Sequence, residues 1–377
     1  MPGAFTIFNL VFAMPALVVL FRWLWPLPLP LWAKVSAGLL MLAASQFHLW
    51  SRLSSGSVFA PEFPRGMVIL FNWAFGALLL LAVFQLVLDL GTLLVMLVQR
   101  EWVREPDRLR YAAAALSAIF AAVGVFNALR VPPIRDVAVA IRDLPAAFDG
   151  YRIVQLTDLH ISRLFTARWA QAVVARANAT GTDLIVVTGD FIDGSIEMRR
   201  ADVEPLRHLS APDGVFAIPG NHEYFFHYRA WMRHLTAMGF RMLPNAHAVI
   251  ERGGARLIVA GVTDLSAPSV GEAAPDLDLA LRGAPADVPI VLLDHQPRKA
   301  RAAAARGVAL QLSGHTHGGM IIGLDRLVAR ANSGFVSGRY EIGDMTLYVS
   351  NGTGLWPGFA LRLGVPAEIS RFTLRRM

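Results

Sequence analysis

The sequence predicts a bundle of membrane-spanning helices followed by a separate α/β domain. Nearly all of the long apolar runs lie before about residue 131, and they raise the mean hydropathy of the 377-residue chain to +0.46. From residue 151 onward, short apolar strands alternate with helical patterns, which is typical of an α/β sheet protein. We therefore expect a transmembrane region over residues 1–130, a linker over 131–149 and a globular domain over 150–377.

Four apolar segments are near or above the length that a helix needs to cross a bilayer, namely 4–21, 31–50, 67–98 and 109–129. The first has neither a basic region before its apolar core nor a small-residue cleavage site, so it predicts an uncleaved helix. The third is longer than one span requires. Either it tilts, or it ends near Asp89 and continues as an interfacial turn. The segments together predict a four-helix transmembrane bundle.

The orientation of these helices follows from the positive-inside rule. No Lys or Arg precedes the first span, which favours an N-terminus outside the cytoplasm, and an even number of spans then leaves the C-terminal domain outside too. The basic residues are divided almost equally, with Arg22, Lys34, Arg100, Arg104, Arg108 and Arg110 on one side and Arg52, Arg65, Arg130, Arg135 and Arg142 on the other. We expect an integral protein of a bacterial-type inner or plasma membrane with an extracytoplasmic catalytic domain.

Composition excludes several classes of site. The absence of cysteine excludes disulfides, thiolate metal sites and cysteine nucleophiles. The net charge of +7 is carried almost wholly by arginine, since Lys34 and Lys299 are the only lysines. There is no long basic run with interleaved aromatic residues. The charge therefore fits membrane flanks better than a nucleic-acid groove, and we expect no nucleic-acid partner.

Clusters of Asp, Asn and His stand just after the apolar strands of the C-terminal domain. They are Asp158-Leu159-His160, Gly189-Asp190 with Asp193, Gly220-Asn221-His222-Glu223, Asp294-His295 and Gly314-His315-Thr316-His317. In open α/β sheets, ligands bind at the carboxyl ends of the strands. Oxygen and imidazole ligands without sulfur suit Mn, Fe or Zn. A single His-x-His in a glycine-rich turn is equally compatible with a solvated loop, but the ordered set is far more specific.

This ordered set resembles the calcineurin-like metallophosphoesterase superfamily over residues 151–377. The ending Arg362-Leu363-Gly364-Val365-Pro366-Ala367-Glu368-Ile369 is also similar to its membrane-associated YkuE/YaeI-like branch. The resemblance implies two facing sheets in a layered α/β/β/α sandwich. It also implies two divalent metal ions, which can activate water and clamp an in-line displacement at phosphorus.

The resemblance assigns a role to each cluster. Asp190 is expected to bridge the two metals, and His222 is expected to protonate the leaving oxygen, with Glu223 or Asp158 orienting it. The remaining ligands are expected to be Asp158, His160 and His317 for the first metal and Asn221, His295 and His315 for the second. Asp193 is left open, because it could support the site or merely cap a helix.

These expectations describe a membrane-anchored, dinuclear metal-dependent phosphohydrolase. Its substrate would be a phosphoester or pyrophosphate, and a lipid-linked one would explain the anchor. Two alternatives remain: a non-catalytic membrane receptor or scaffold that binds phosphate, and a nuclease of the same superfamily. The aromatic residues at 224–231 and 355–359 either pack inside the protein or form an apolar rim that meets the bilayer or an acyl chain.

Overall fold

The computed structural model describes residues 12–377, which form two compact units. The helical unit contains the chain up to Ala128 together with Pro357–Leu363. The sheet unit contains Leu129–Trp356 and Gly364–Met377. Residues 4–11 of the first predicted span lie outside the described residues.

Five helices lie within the described residues 12–130. They are α1 (Phe12–Leu24, whose last turn Val19–Leu24 is π-helical), α2 (Leu31–Ser45), α3 (Phe47–Ser55), α4 (Arg65–Gln99) and α5 (Asp107–Leu129). Within residues 12–377, α4 and α5 are long and apolar enough to cross a membrane, whereas α1 and α2 are shorter apolar helices. The structure therefore gives two clear candidate spans where the sequence predicted four.

Two details of the predicted spans differ in the structure. The segment 31–50 is divided, because the backbone leaves the helical conformation at Gln46, where ψ is 25°. In contrast, α4 continues without a break through Asp89 to Gln99. Its 35 residues correspond to roughly 50 Å, well beyond the ~30 Å thickness of a bilayer core. The third predicted span is therefore one long helix, without the interfacial turn near Asp89.

The segment Pro357–Leu363 is held in the helical unit by a buried amide. Asn72 on α4 is 2% exposed. Its Nδ2 atom donates to the carbonyl oxygen of Pro357 at 2.8 Å, and its Oδ1 atom accepts from the backbone N–H of Ala360 at 2.6 Å. A buried polar side chain requires such partners, so Asn72 and this segment satisfy each other's hydrogen-bonding groups.

The sheet unit contains two six-stranded sheets. The first has the order β1 (Ile134–Ile141), β12 (Ile369–Arg376), β2 (Arg152–Leu156), β3 (Leu184–Thr188), β4 (Val215–Ile218) and β5 (Arg241–Met242). The second has the order β10 (Gly338–Ile342), β11 (Met345–Val349), β9 (Leu310–Ser313), β8 (Ile290–Leu293), β7 (Ala255–Gly261) and β6 (Ala246–Arg252).

Helices connect these strands. They are α6 (Ala167–Asn178), α7 (Ile196–Val203), α8 (Asn221–Phe225), α9 (Tyr228–Ala237), α10 (Leu277–Ala280), α11 (Ala300–Ala304) and α12 (Asp325–Ala331). Short 3-10 turns cover Ala146–Phe148, Glu204–His208, Ala267–Val270, Pro297–Lys299 and His317–Gly319.

Both sheets contribute to one apolar core. Ile153 and Val186 from the first sheet are fully buried in it with Val259 and Leu312 from the second. Ala280 of α10 and Ala300 of α11 belong to a further apolar cluster that includes residues of β7, β8 and β11. The prediction of an α/β sandwich with two facing sheets is therefore confirmed.

The predicted linker over 131–149 contains a strand of the first sheet. Residues 134–141 form β1, which pairs in parallel with β12 at the end of the chain. The preceding prolines Pro132 and Pro133 favoured the linker prediction. The pairing partner of Ile134 is Ile369, so the interaction that makes this segment a strand lies more than two hundred residues away.

Candidate metal centre

The sheet order brings the predicted polar clusters together. Strands β2, β3 and β4 are parallel neighbours, as are β7, β8 and β9, so the carboxyl ends of each set reach the same edge of their sheet. The segments that follow β2, β3, β4, β8 and β9 contain every residue that the sequence assigned to the site. Asp158, His160, Asp190, Asn221, His222, His295 and His317 are buried, and His315 is partly buried.

The first predicted group of ligands converges. The Nε2 atoms of His160 and His317 lie 3.3 Å apart, and the Nε2 atom of His317 lies 3.7 Å from Asp158 Oδ1. One potential ligand atom from each of these three residues lies within 4.8 Å of the others. A hydrogen bond from the backbone fixes the position of Asp158. The N–H of His315 donates to its carboxylate, with 3.0 Å to Oδ1 and 3.1 Å to Oδ2.

The second predicted group converges around the amide of Asn221. Its Oδ1 atom lies 3.0 Å from His295 Nε2 and 2.8 Å from His315 Nδ1. The other ring nitrogen of His295, Nδ1, donates to the carbonyl oxygen of Thr188 at 2.8 Å. This hydrogen bond fixes the orientation of the His295 ring, as the hydrogen-bond partners of metal-binding imidazoles usually do.

Asp190 lies between the two groups. Its Oδ2 atom is 3.2 Å from His295 Nε2 in the second group and 3.8 Å from His160 Nε2 in the first. Its Oδ1 atom accepts the backbone N–H of His222 at 2.8 Å. The residues fit divalent cations well, since their oxygen and imidazole atoms converge, without sulfur, on a small volume.

The backbone at the site is held in an unusual conformation. Five of the seven predicted ligands have a positive φ angle, namely Asp158, His160, Asp190, His315 and His317. This conformation costs residues with a side chain on the order of 1–3 kcal/mol each and is concentrated at functional sites. Gly189, with φ of 94°, has no room for a side chain, because a Cβ atom there would lie 2.6 Å from Gly220 Cα.

The carboxylate that orients His222 is that of Asp193. His222 Nδ1 contacts Asp193 Oδ1, and His160 Nδ1 lies 3.0 Å from the other oxygen of the same carboxylate. Asp193 is fully buried. Burial disfavours the charged imidazole of His222, but Asp190 and Asp193 outweigh it and raise the pKa of His222 to about 9. Asp193 therefore supports the site, which the sequence had left open. The sequence hint to this role was its position three residues after Asp190.

Glu223, one of the two residues predicted to orient His222, is engaged by the backbone. Its carboxylate accepts three backbone N–H groups, from Gly220 at 2.7 Å, Asp190 at 3.0 Å and Phe191 at 2.8 Å. Asp158, the other predicted candidate, contacts His315 and His317. Glu223 therefore joins the loop after β3 to the start of α8 and so fixes the backbone at Asp190.

Electrostatics favour the ligating forms of two of the predicted ligands, Asp190 and His315. Burial opposes ionisation of Asp190, but His295 and His222 hold its pKa well below its usual range. Burial lowers the pKa of His315 to about 3, and the neighbouring His295 adds to this effect. Asp190 is therefore a carboxylate and His315 a neutral imidazole at neutral pH, as metal ligands must be.

Most of the aromatic residues after His222 pack inside the sheet unit. Tyr224, Phe226 and Trp231 are buried, whereas Phe225 is 43% exposed. The ring centroid of Phe225 lies 5.2 Å from that of His222. Phe225 also lines an open cavity of about 720 Å³, together with His227, Arg229 and Arg233 among others. Packing explains most of this cluster, and only Phe225 remains as a candidate for an apolar rim beside the site.

Known proteins share this chain's sequence pattern. The family model described as calcineurin-like phosphoesterase matches residues 151–319. A transmembrane protein with metallophosphoesterase domain from Danio rerio is 32% identical over 276 residues, covering 70% of this chain. The metallophosphoesterase YkuE of Bacillus subtilis (strain 168) is 34% identical over 239 residues, covering 62% of this chain and 82% of YkuE. The chain spans only 62% of the length of the Danio rerio protein.

A solved structure, that of a 5'-nucleotidase precursor from Thermus thermophilus, is similar to this chain with a TM-score of 0.38 and 18% identity. The similar region covers 59% of this chain and 54% of the nucleotidase chain. The sequence comparisons confirm the predicted family resemblance, including the YkuE-like branch.

The role of Glu223 can be measured by unfolding. Glu223→Ala leaves three buried N–H donors without an acceptor, so we expect it to lower the free energy of unfolding by roughly 3 kcal/mol or more. Glu223→Gln retains an acceptor oxygen and should lose clearly less. Denaturant titration followed by circular dichroism gives both values, and Glu204→Ala, which removes a surface carboxylate paired with Arg207, is the control. Equal losses for Glu223→Ala and Glu204→Ala would contradict the structural role.

Proposed function

Because the chain belongs to the calcineurin-like phosphoesterase family, we propose that it is a membrane-anchored, dinuclear metal-dependent phosphohydrolase. It hydrolyses a phosphoester or pyrophosphate bond in a lipid-linked substrate. The observation that carries this proposal is the position of Asp190, whose Oδ2 atom faces His295 of one ligand group and His160 of the other. A carboxylate shared by two groups is what a pair of neighbouring cations requires to offset their mutual repulsion.

The proposed assignment of ligands uses both groups. Asp158, His160 and His317 would hold one ion, Asn221, His295 and His315 would hold the other, and Asp190 would serve both. Bound Mn, Fe or Zn would activate water and neutralise the phosphoryl oxygens. The protein contributes fixed geometry, because hydrogen bonds to Thr188 and Asp193 hold the rings of His295 and His160 in place.

His222 acts as the acid that protonates the leaving oxygen. Its Nδ1 atom is engaged by Asp193, so Nε2 is the ring nitrogen that delivers the proton, and this atom lies 4.0 Å from Asp190 Oδ2. The leaving group would then enter the cavity beside Phe225. The lining of that cavity includes Arg229 and Arg233, which suits a leaving group that carries a further negative charge.

The lipid-linked substrate is supported by the helical unit. α4 and α5 can each cross a bilayer, and a relative from Danio rerio is named a transmembrane protein. We further propose that α1 and α2 complete a four-span bundle. Large apolar side chains on these two helices are exposed, including those of Phe21, Leu39 and Leu40, and lipid would cover them. An enzyme anchored in this way meets substrates that are themselves confined to the membrane.

Removing the shared carboxylate tests the dinuclear proposal. We expect Asp190→Ala to lose both metal ions, because the residue serves each, whereas Asp158→Ala should lose only the ion of the first group. Metal analysis of the purified variants by plasma mass spectrometry gives the content per chain, and circular dichroism shows whether each variant is folded. A folded Asp190→Ala protein with the full metal content and rate of the wild type would rule out a bridging role.

The role of His222 can be tested with two leaving groups. A general acid matters most when the leaving oxygen is a basic alkoxide. His222→Ala should therefore slow hydrolysis of an alkyl phosphodiester by roughly 10²–10⁴-fold and that of a nitrophenyl ester clearly less, with unchanged metal content. Equal losses with both esters would show that His222 positions the phosphoryl group instead. Loss of metal would mean that the ligand set around Asn221 is misassigned.

The sidedness of the protein is a separate proposal. From the distribution of arginines we propose that the loop 101–108 is cytoplasmic and that the catalytic unit is extracytoplasmic, in an inner or plasma membrane of bacterial type. A reporter that is active only outside the cytoplasm should be active when fused after Met377 and inactive when inserted within 101–108. The reverse pattern would place catalysis on the cytoplasmic face.

A further inference from the structure

The helical unit contains a cavity that is far along the chain from every residue of the metal centre. Its volume is about 480 Å³, and it lies where α4 ends and α5 begins. We call it the arginine cavity, since its lining includes three guanidinium groups and two carboxylates. These charged residues are Arg22, Arg104 and Arg110, with Asp89 and Glu105.

Two ion pairs form one wall of the arginine cavity. Arg22 contacts both oxygens of Asp89, at 2.9 and 3.0 Å. Arg110 donates to Glu105 Oε2 at 3.0 Å, and both side chains of this pair are more than nine-tenths buried. Gln85 joins the pairs, because its Nε2 atom donates to Asp89 Oδ1 and to Glu105 Oε2, each at 2.9 Å.

These pairs leave buried polar atoms unsatisfied. Arg110 Nε has no hydrogen-bond acceptor within residues 12–377, and Arg110 Nη1 reaches only Asp107 at 3.9 Å. Glu105 Oε1 likewise has no donor among the described residues. Buried groups of this kind are normally satisfied by a ligand or by water. These unsatisfied atoms are enclosed by protein, whereas Arg22 and Arg104 in the lining are exposed, and the lining has one more positive than negative charge.

We propose that the arginine cavity binds the headgroup of an anionic phospholipid, whose phosphodiester is bound by Arg104 and Arg22, the two exposed guanidinium groups of the lining. Guanidinium groups match the oxygens of a phosphate, and basic pockets between transmembrane helices bind anionic lipid headgroups. Phosphatidylglycerol is an anionic phospholipid of this kind. Leu90 and Leu93, which also line the cavity and are exposed, are suited to contact the acyl chains.

Trp102 provides a direct measurement of lipid binding. It lines the arginine cavity and is 87% exposed. The full chain is placed in nanodiscs that contain phospholipids brominated on their acyl chains, and the fluorescence specific to Trp102 is obtained by subtracting a Trp102→Phe variant. We expect brominated phosphatidylglycerol to quench Trp102 more strongly than brominated phosphatidylcholine at the same mole fraction.

Three variants separate the cavity from general surface charge. Arg104→Gln and Arg22→Gln change exposed side chains that line the cavity, so both variants should fold. Each substitution should weaken the preference for phosphatidylglycerol by roughly fivefold. Arg108→Gln changes an exposed arginine of the same region outside the lining and should keep the preference. Equal quenching by both lipids in the wild type would overturn the proposal. So would an equal loss in Arg108→Gln, since it would show only attraction to a basic surface.

Discussion

The candidate metal centre depends on the placement of one buried carboxylate, that of Asp190, between two groups of predicted ligands. Glu223 holds the backbone N–H of Asp190 and of Phe191, and Asp190 in turn accepts the N–H of His222. Hydrogen bonds within the protein therefore join the segments after β3 and β4. Such preorganisation reduces the rearrangement that binding and catalysis would otherwise require.

The helical unit obeys a related constraint, because a polar group among apolar helices needs a partner inside the protein. For Asn72 that partner is the segment 357–363. Small residues make room for this segment: a Cβ atom at Gly124 would lie 2.6 Å from a side-chain carbon of Leu361, and one at Gly76 would lie 3.2 Å away. The charged groups at the other end of α4 are paired less completely, which is why the arginine cavity retains unsatisfied donors and acceptors.

The fold was predictable wherever the pattern is local. The bounds of β3, β4 and β8 agree with the runs Leu184–Thr188, Val215–Ile218 and Ile290–Leu293 in the sequence, because fully buried strands are continuous apolar runs. Strand β1 was missed, since its only partner in the sheet is at the far end of the chain. The break at Gln46 and the unbroken path of α4 were also not predictable, because hydropathy measures apolar content and contains no information on where a backbone bends.

The sequence by itself determined which chemistry the site can have, because Asp, Asn and His after successive strands leave few alternatives to a metal centre. It also indicated which segments would meet within each sheet, since neighbouring parallel strands end at one edge. Only the tertiary structure decided which contacts each carboxylate makes. Asp193 contacts His160 and His222, whereas Glu223 holds backbone N–H groups. Sequence spacing cannot distinguish these roles, because they depend on positive φ angles and on contacts between loops that are far apart in the chain.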